Sequence, residues 1–179
     1  MSTDRNIQFR IATLEDAPRL QQLIQTAFRA EDSRPQWTAD MSLGASFTVN
    51  VQNVINQINK PEGGILVAVD GNDGAIIASI EVTRRGDFGR LSMIAVEQRF
   101  QQAGLGRRVL ARAEDYCRQT WGVDKFSLDA LSTRERLIEW YERQGYCKTG
   151  ELTPFPVREI DGRPVGDDLC FVQMEKTPA

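Results

Sequence analysis

Residues 91–118 constrain the fold of this chain more than any other stretch. Leu91-Ser92-Met93-Ile94-Ala95-Val96 reads as a short apolar strand. Gln101-Gln102-Ala103-Gly104-Leu105-Gly106 follows as a loop holding two glycines. Beyond it, Leu105, Val109, Leu110, Ala113, Tyr116 and Cys117 recur on one helical face, with Arg107, Arg108, Arg112, Glu114, Asp115 and Arg118 mostly elsewhere. A strand running through glycines into a helix is a place to hold an anion. Glycines let successive N–H groups point outward, and the positive end of the helix dipole favours a phosphate. Arg107 and Arg108 add charge at the rim. The same turn also serves as plain connection between strand and helix. No Gly-Lys-Ser/Thr follows, so it is not a P-loop, and the third glycine of the dinucleotide fingerprint is missing.

The rest of the chain supplies the layers around this unit. Ile7 to Ile11 alternates as a half-buried strand, and Thr13-Leu14-Glu15-Asp16 offers a capping box. Ala17, Leu20, Ile24, Ala27 and Phe28 then mark a core-packing helix, with Pro18 tolerated in its first turn. Residues 29–45 lose periodicity and read mainly as loop. A helical pattern resumes from Ser46 to Ile58 and stops at Pro61-Glu62-Gly63-Gly64. Ile65–Val69, a hairpin signal over 70–74, Ala75–Val82, a turn at Arg84-Arg85-Gly86-Asp87 and Arg90–Val96 together predict an antiparallel meander.

After the motif helix, Lys125–Leu131 reads as a strand. Strand, helix, strand implies a right-handed parallel crossover, which makes 91–96 and 126–131 neighbours or nearly so. Ser132-Thr133 is placed to cap a helix over residues 134–144, and Gly145 to stop it. Tyr146–Leu152, a small hairpin centred on Asp161-Gly162 and a last strand at Leu169–Met174 complete an α/β chain with a mixed sheet.

Composition narrows the chemistry. A chain of 179 residues without linker, repeat or low-complexity segment is most simply one domain, residues 1–179 with a core over 7–176. The formal charge of −3 argues against a nucleic-acid partner. No apolar stretch reaches the length of a membrane span and the start, MSTDRN, is polar, so no membrane partner and a cytoplasmic location are expected. Cys117, Cys147 and Cys170 are odd in number and widely spaced, which suits a reducing compartment and forms no metal-ligand pattern. The absence of histidine removes His-based triads, His-ligated zinc and His general bases together.

Val96 followed by Gln101-x-x-Gly104-x-Gly106 resembles motif A of the GNAT superfamily of N-acetyltransferases, written Gln/Arg-x-x-Gly-x-Gly/Ala. Downstream, Trp140-Tyr141-Glu142-Arg143-Gln144-Gly145-Tyr146 resembles that family's aromatic-Tyr-x-x-x-Gly-Phe/Tyr signature. The two stand in the family's order and separation. The resemblance implies a mixed, mostly antiparallel sheet of six to seven strands with about four helices, opened into a V between two central parallel strands. It implies an acetyl-CoA-dependent N-acetyltransferase, with acetyl-CoA as co-substrate and no metal, working by direct attack of a primary amine in a ternary complex. A small-molecule amine is the expected acceptor. A peptide N-terminus or lysine, or a non-catalytic acyl-CoA-binding module, are the other readings. A monomer or homodimer is expected.

Carried over residue by residue, the resemblance puts the pyrophosphate at the amides around Gln101, Gln102, Ala103, Gly104, Leu105, Gly106 and Arg107. Pantetheine would add to the strand edge at Ile94 and Val96, with the Ile94 N–H facing the thioester oxygen. Tyr141 falls at the general acid position, although Leu137, Ile138 and Tyr141 also share a helical face and a core tyrosine fits as well. Some relatives carry a glutamate at the start of the motif-A strand, where this chain has Arg90. Glu81 is therefore the first choice of base, with Glu97 and Asp129 as alternatives. Arg134 stands where many relatives have an asparagine. In such enzymes the segment between the first two strands often lines the acceptor site, which makes Trp37 and Phe47 candidates there.

Overall fold

The computed structural model describes residues 6–29, 49–154, 159–160, 163–164 and 170–178. Trp37, Phe47 and the loop predicted over 29–45 lie outside the described residues, apart from Arg29 at the end of a helix. In chain order come β1 (Ile7–Ile11), α1 (Ala17–Arg29), α2 (Val51–Asn59), β2 (Gly63–Asp70), β3 (Ile76–Arg85), β4 (Phe88–Val96), α3 (Leu105–Trp121), β5 (Lys125–Leu131), α4 (Glu135–Arg143), β6 (Cys147–Pro154), β7 (Glu159–Ile160), β8 (Arg163–Pro164) and β9 (Cys170–Lys176). Among the described residues, seven strands form one sheet in the order β1-β2-β3-β4-β5-β9-β6, and β7 pairs with β8 as the small hairpin.

Every neighbouring pair in the large sheet is antiparallel except β4 with β5. That parallel pair holds only at Phe88↔Lys125, Gly89↔Phe126 and Arg90↔Ser127. From Leu91 onward the pairing ends, so 91–96 and 126–131 lie on neighbouring strands as expected but 91–96 makes no ladder with β5, which is the opening of the V. The opening exposes the edge of β4 as it runs toward the glycine loop.

Helices cover both faces. Leu20, Leu23 and Ile24 of α1 and Val54 of α2 bury against Ile65, Val67 and Val69 of β2 and Ala95 of β4. On the other face, Leu105, Val109, Leu110, Ala113 and Cys117 of α3, with Leu137, Ile138 and Tyr141 of α4, pack on Leu66, Ile80, Val82, Leu91, Phe126 and Leu128. The contact between α3 and the sheet is close. A Cβ added at Gly89 would sit 2.8 Å from Cys117 Sγ and 3.2 Å from Phe126 Cδ1, so only glycine fits there.

Of the two predicted caps, the Thr13–Asp16 capping box forms and the Ser132-Thr133 cap does not. Thr13 heads a short 3₁₀ turn at Leu14–Asp16, its N–H donating to Asp16 Oδ2 at 2.8 Å, before α1 begins. The predicted cap of α4 by Ser132-Thr133 is not made: Arg134 occupies the N-cap without a side-chain cap bond. Ser132 Oγ instead accepts the N–H of Cys170 at 3.2 Å, because β9 inserts between β5 and β6 and brings that donor close.

Glu114 of α3 is buried, accepting from the Tyr146 hydroxyl at 2.8 Å and from Lys176 Nζ at 3.0 Å. Burial first, then the Glu114 charge, pushes the Tyr146 phenol well above its ordinary value. Removing the lysine leaves the buried carboxylate with Arg118, 3.9 Å away, as its remaining cation. A Lys176→Ala variant is expected to lose about 2–3 kcal/mol of stability, read as a lower urea midpoint at unchanged slope. A loss below about 0.5 kcal/mol would show that Tyr146 and Arg118 satisfy Glu114 without it.

Candidate active site

The glycine loop forms where β4 meets α3. A 3₁₀ turn over Gln98–Ala103, absent from the sequence reading, carries Gln101, Gln102 and Ala103 round to Gly104. Gly104 is left-handed, with φ 75°, and serves both as the end of that turn and as the N-cap of α3. A Cβ added there would meet nothing within 4 Å, so the space above the loop is open. Leu105 is buried, leaving its amide rather than its side chain for the loop, and Gly106 backs onto Trp140 of α4 and Val96. Arg107 is exposed. Arg108 is diverted from the rim: its guanidinium lies 5.7 Å from the ring of Phe9 on β1, beside Arg112 at 5.0 Å.

The β3–β4 pairing holds a second feature. Ser79 opposes Ala95 and Glu81 opposes Ser92, so Ile80 alone stands across from Met93 and Ile94. One residue against two is a β-bulge, and Met93 takes it up with φ 52°. A left-handed methionine costs roughly 1 kcal/mol or more, a strain of the kind concentrated at functional sites. The bulge bends β4 just where it leaves β5 and re-aims the Ile94 peptide, while Val96 returns to regular pairing with Ala78. No local pattern in the sequence signals it.

Cross-strand register sorts the polar residues by face. Glu81 lies opposite Ser92, and Thr83 opposite Arg90, so all four share the face covered by α1 and α2. Gln57 of α2 confirms this by donating to Thr83 Oγ1 at 3.1 Å and to the Gly64 carbonyl at 3.2 Å. Glu81 and Met93 form the floor of a cleft of about 660 Å³ whose wall is α2 and its C-terminal turn. Burial pushes the Glu81 carboxyl up to about 7, with Lys60 on the cleft rim pulling the other way.

The competing carboxylates are engaged. Glu97 is ion-paired with Arg99 at 2.8 Å and Arg19 at 3.5 Å. Asp129 accepts from Arg90 at 2.6 Å across the foot of the V, and Gln173 Nε2 approaches the same oxygen at 3.4 Å. Arg90 is thus neutralised by Asp129.

Tyr141 approaches from the other face. It is 5% exposed, wedged between Trp140 and Tyr146 rings at 5.2 and 6.1 Å. Its hydroxyl has no hydrogen-bond partner among the described residues. Burial raises it to about 12, opposed by Arg134 and assisted by Asp129, so it stays protonated through the whole neutral range. Cys117 is buried and its thiol is likewise pushed up to about 12, which removes it as a nucleophile.

A protonated phenol on one face, a carboxyl poised near neutrality on the other and an open strand edge between them suit acyl transfer to an amine. Comparisons with known proteins agree in kind. The model of the Acetyltransferase (GNAT) family matches residues 19–146. The ribosomal-protein-S18-alanine N-acetyltransferase from Escherichia coli is 18% identical over 97% of this chain and 96% of its own, with a TM-score of 0.71. The spermidine/spermine N-acetyltransferase from Vibrio cholerae is 16% identical over 97% and 92%, with a TM-score of 0.65. At these identities the likeness establishes the fold. No curated protein sequence gives a significant match.

Proposed function

This chain belongs to the acetyltransferase (GNAT) family, and on that premise we propose that it transfers the acetyl group of acetyl-CoA directly to a small primary amine. The observation that carries this is the end of β4–β5 pairing at Arg90↔Ser127, which leaves an open β4 edge running into the Gly104 loop. Backbone groups on that edge, at Ile94 and Val96, hold the peptide-like pantetheine arm as an added strand. Amides around Gln101, Gln102, Ala103, Gly104, Leu105, Gly106 and Arg107 hold the pyrophosphate at the start of α3. The open space over Gly104 is where those phosphates fit.

Each step then has a residue. Glu81, ionised, accepts a proton from the acceptor ammonium, directly or through a water, and frees the amine lone pair. The amine attacks the thioester carbon as the Ile94 N–H, re-aimed by the Met93 bulge, meets the developing oxyanion. The C–S bond breaks, Tyr141 gives its proton to the leaving thiolate, and the proton that the attacking nitrogen sheds as it becomes an amide returns to the phenolate directly or through a water. The cleft beside Glu81 has the size of a small-molecule site, which favours a small acceptor over a folded protein surface. A cytoplasmic enzyme without metal, as monomer or homodimer, completes the reading.

Thiol release from acetyl-CoA with an amine panel tests it across pH. Wild-type kcat/KM is expected to fall as pH drops through about 7, the value to which Glu81 is raised. Glu81→Gln should lower it about 100-fold and erase that limb. A stability readout gives an independent check. Because the folded pKa is raised, the folded state binds more protons than the unfolded between the two values, so the wild type loses stability as pH rises through that window. Glu81→Gln should therefore be neutral at about pH 4 and stabilising above about pH 7. An unchanged limb in the variant removes Glu81 as the base.

A further inference from the structure

We propose that the acceptor is an amine bearing a carboxylate, an amino acid-like zwitterion, with its nitrogen at Glu81 and its carboxylate at Lys60. This rests on the acetyl-transfer reading above and names the substrate class of that site. Among the described residues lining the cleft, Glu81 is the one acid and Lys60 the one base; the other polar walls are amides such as Asn53, Asn56 and Asn59. The cleft therefore presents one negative and one positive pole with neutral hydrogen-bonding groups beside them.

Three details give this pair its character. Lys60 has no ion-pair partner among the described residues and makes no ion pair with Glu81, although it is near enough to favour the ionised carboxylate. The two charges thus face one cleft without joining, and a zwitterion laid head to tail satisfies both. Lys60 is also held. Its N–H donates to the Gln57 carbonyl at 3.3 Å, and its stem lies over Gly63, where an added Cβ would come within 3.0 Å of Lys60 Cβ. Gln57 in turn anchors α2 through the Gly64 carbonyl and Thr83. The backbone that carries the ammonium is therefore set at the end of α2, beside the cleft. Finally, the arrangement disfavours a polycation. Among the described lining residues the acid is Glu81, so a second ammonium on the acceptor meets Lys60 there rather than another carboxylate.

The experiment uses the full chain, saturating acetyl-CoA and the protein amino acids, each beside its decarboxylated amine and its neutral amide. Thiol release gives kcat/KM for wild type, Lys60→Ala and Lys60→Glu; Lys60 is exposed, so both variants should fold, as melting curves will verify. The best amino acid is expected to exceed its amine and amide by about tenfold in wild type. Lys60→Ala should bring the three together, and Lys60→Glu should reverse the order so that the amine leads. A wild-type preference for the uncarboxylated amine, or a ratio unmoved by both substitutions, overturns the proposal. Calorimetric titration with acetyl-CoA separates this from failure of the reaction class. Tight acetyl-CoA binding with the amine or amide turned over at least as well as its amino acid sinks the zwitterion alone, whereas no binding and no turnover of any acceptor sinks both.

Discussion

Gly104→Glu is expected to reduce acetyl-CoA affinity by about 100-fold or more. Two effects combine in it and can be separated. A non-glycine residue at φ 75° carries a backbone cost of about 1–2 kcal/mol, which appears in stability. A Cβ added there meets nothing within 4 Å among the described residues, so the side chain begins in open space. That open space is where the diphosphate should lie, and a carboxylate there sets like charge against like charge. Gly104→Ala isolates the backbone term. It should melt at nearly the temperature of Gly104→Glu yet retain most of the affinity in a calorimetric titration. Equal affinities for wild type and Gly104→Glu would move the donor away from this loop, and the assignment of Gln101 to Arg107 would fall with it.

Tyr141→Phe should lower kcat about 100- to 1000-fold while leaving acetyl-CoA affinity unchanged. The substitution keeps the ring, and with it the edge contacts to Trp140 and Tyr146. Since the hydroxyl has no partner among the described residues, its removal should shift stability by no more than about 0.5 kcal/mol. The pH profile adds a sharper test. With the phenol held up to about 12, its loss should depress the rate evenly across the neutral range, without shifting the limb assigned to Glu81. A kcat within about threefold of wild type would make Tyr141 a core residue, and the leaving thiolate would then take its proton from solvent.

The extent to which the site could be read beforehand follows the range of the interactions that build it. The glycine at the head of α3 and the tyrosine on α4 were legible as placements in the fold because each belongs to a short pattern: two glycines opening a helix, and an aromatic-tyrosine pair four residues before a glycine just past the helix end. The meander over β2–β4 was legible for the same reason, its strands being joined by turns rich in glycine and aspartate. The sequence offers Glu81 as one of three carboxylates, beside Glu97 and Asp129. What distinguishes it is that Glu97 meets Arg19 and Arg99, and Asp129 meets Arg90, while Glu81 faces a cleft. None of those pairings has a sequence signature. The cap expected from Ser132-Thr133 failed for a similar reason, since Ser132 found a donor on β9, 38 residues away.

By itself the sequence determined the order of helices and strands, the glycine loop at the head of α3 and the placing of a tyrosine on the buried face of α4. These are matters of periodicity and local backbone preference, which each segment carries within itself. Tertiary structure alone decided where β4 parts from β5, that Met93 bulges against β3, and that Lys60 and Glu81, 21 residues apart, face one cleft without pairing. Those outcomes depend on which strand lies beside which and in what register. Register is set by burying whole faces of the sheet at once, so no single segment holds the information for it.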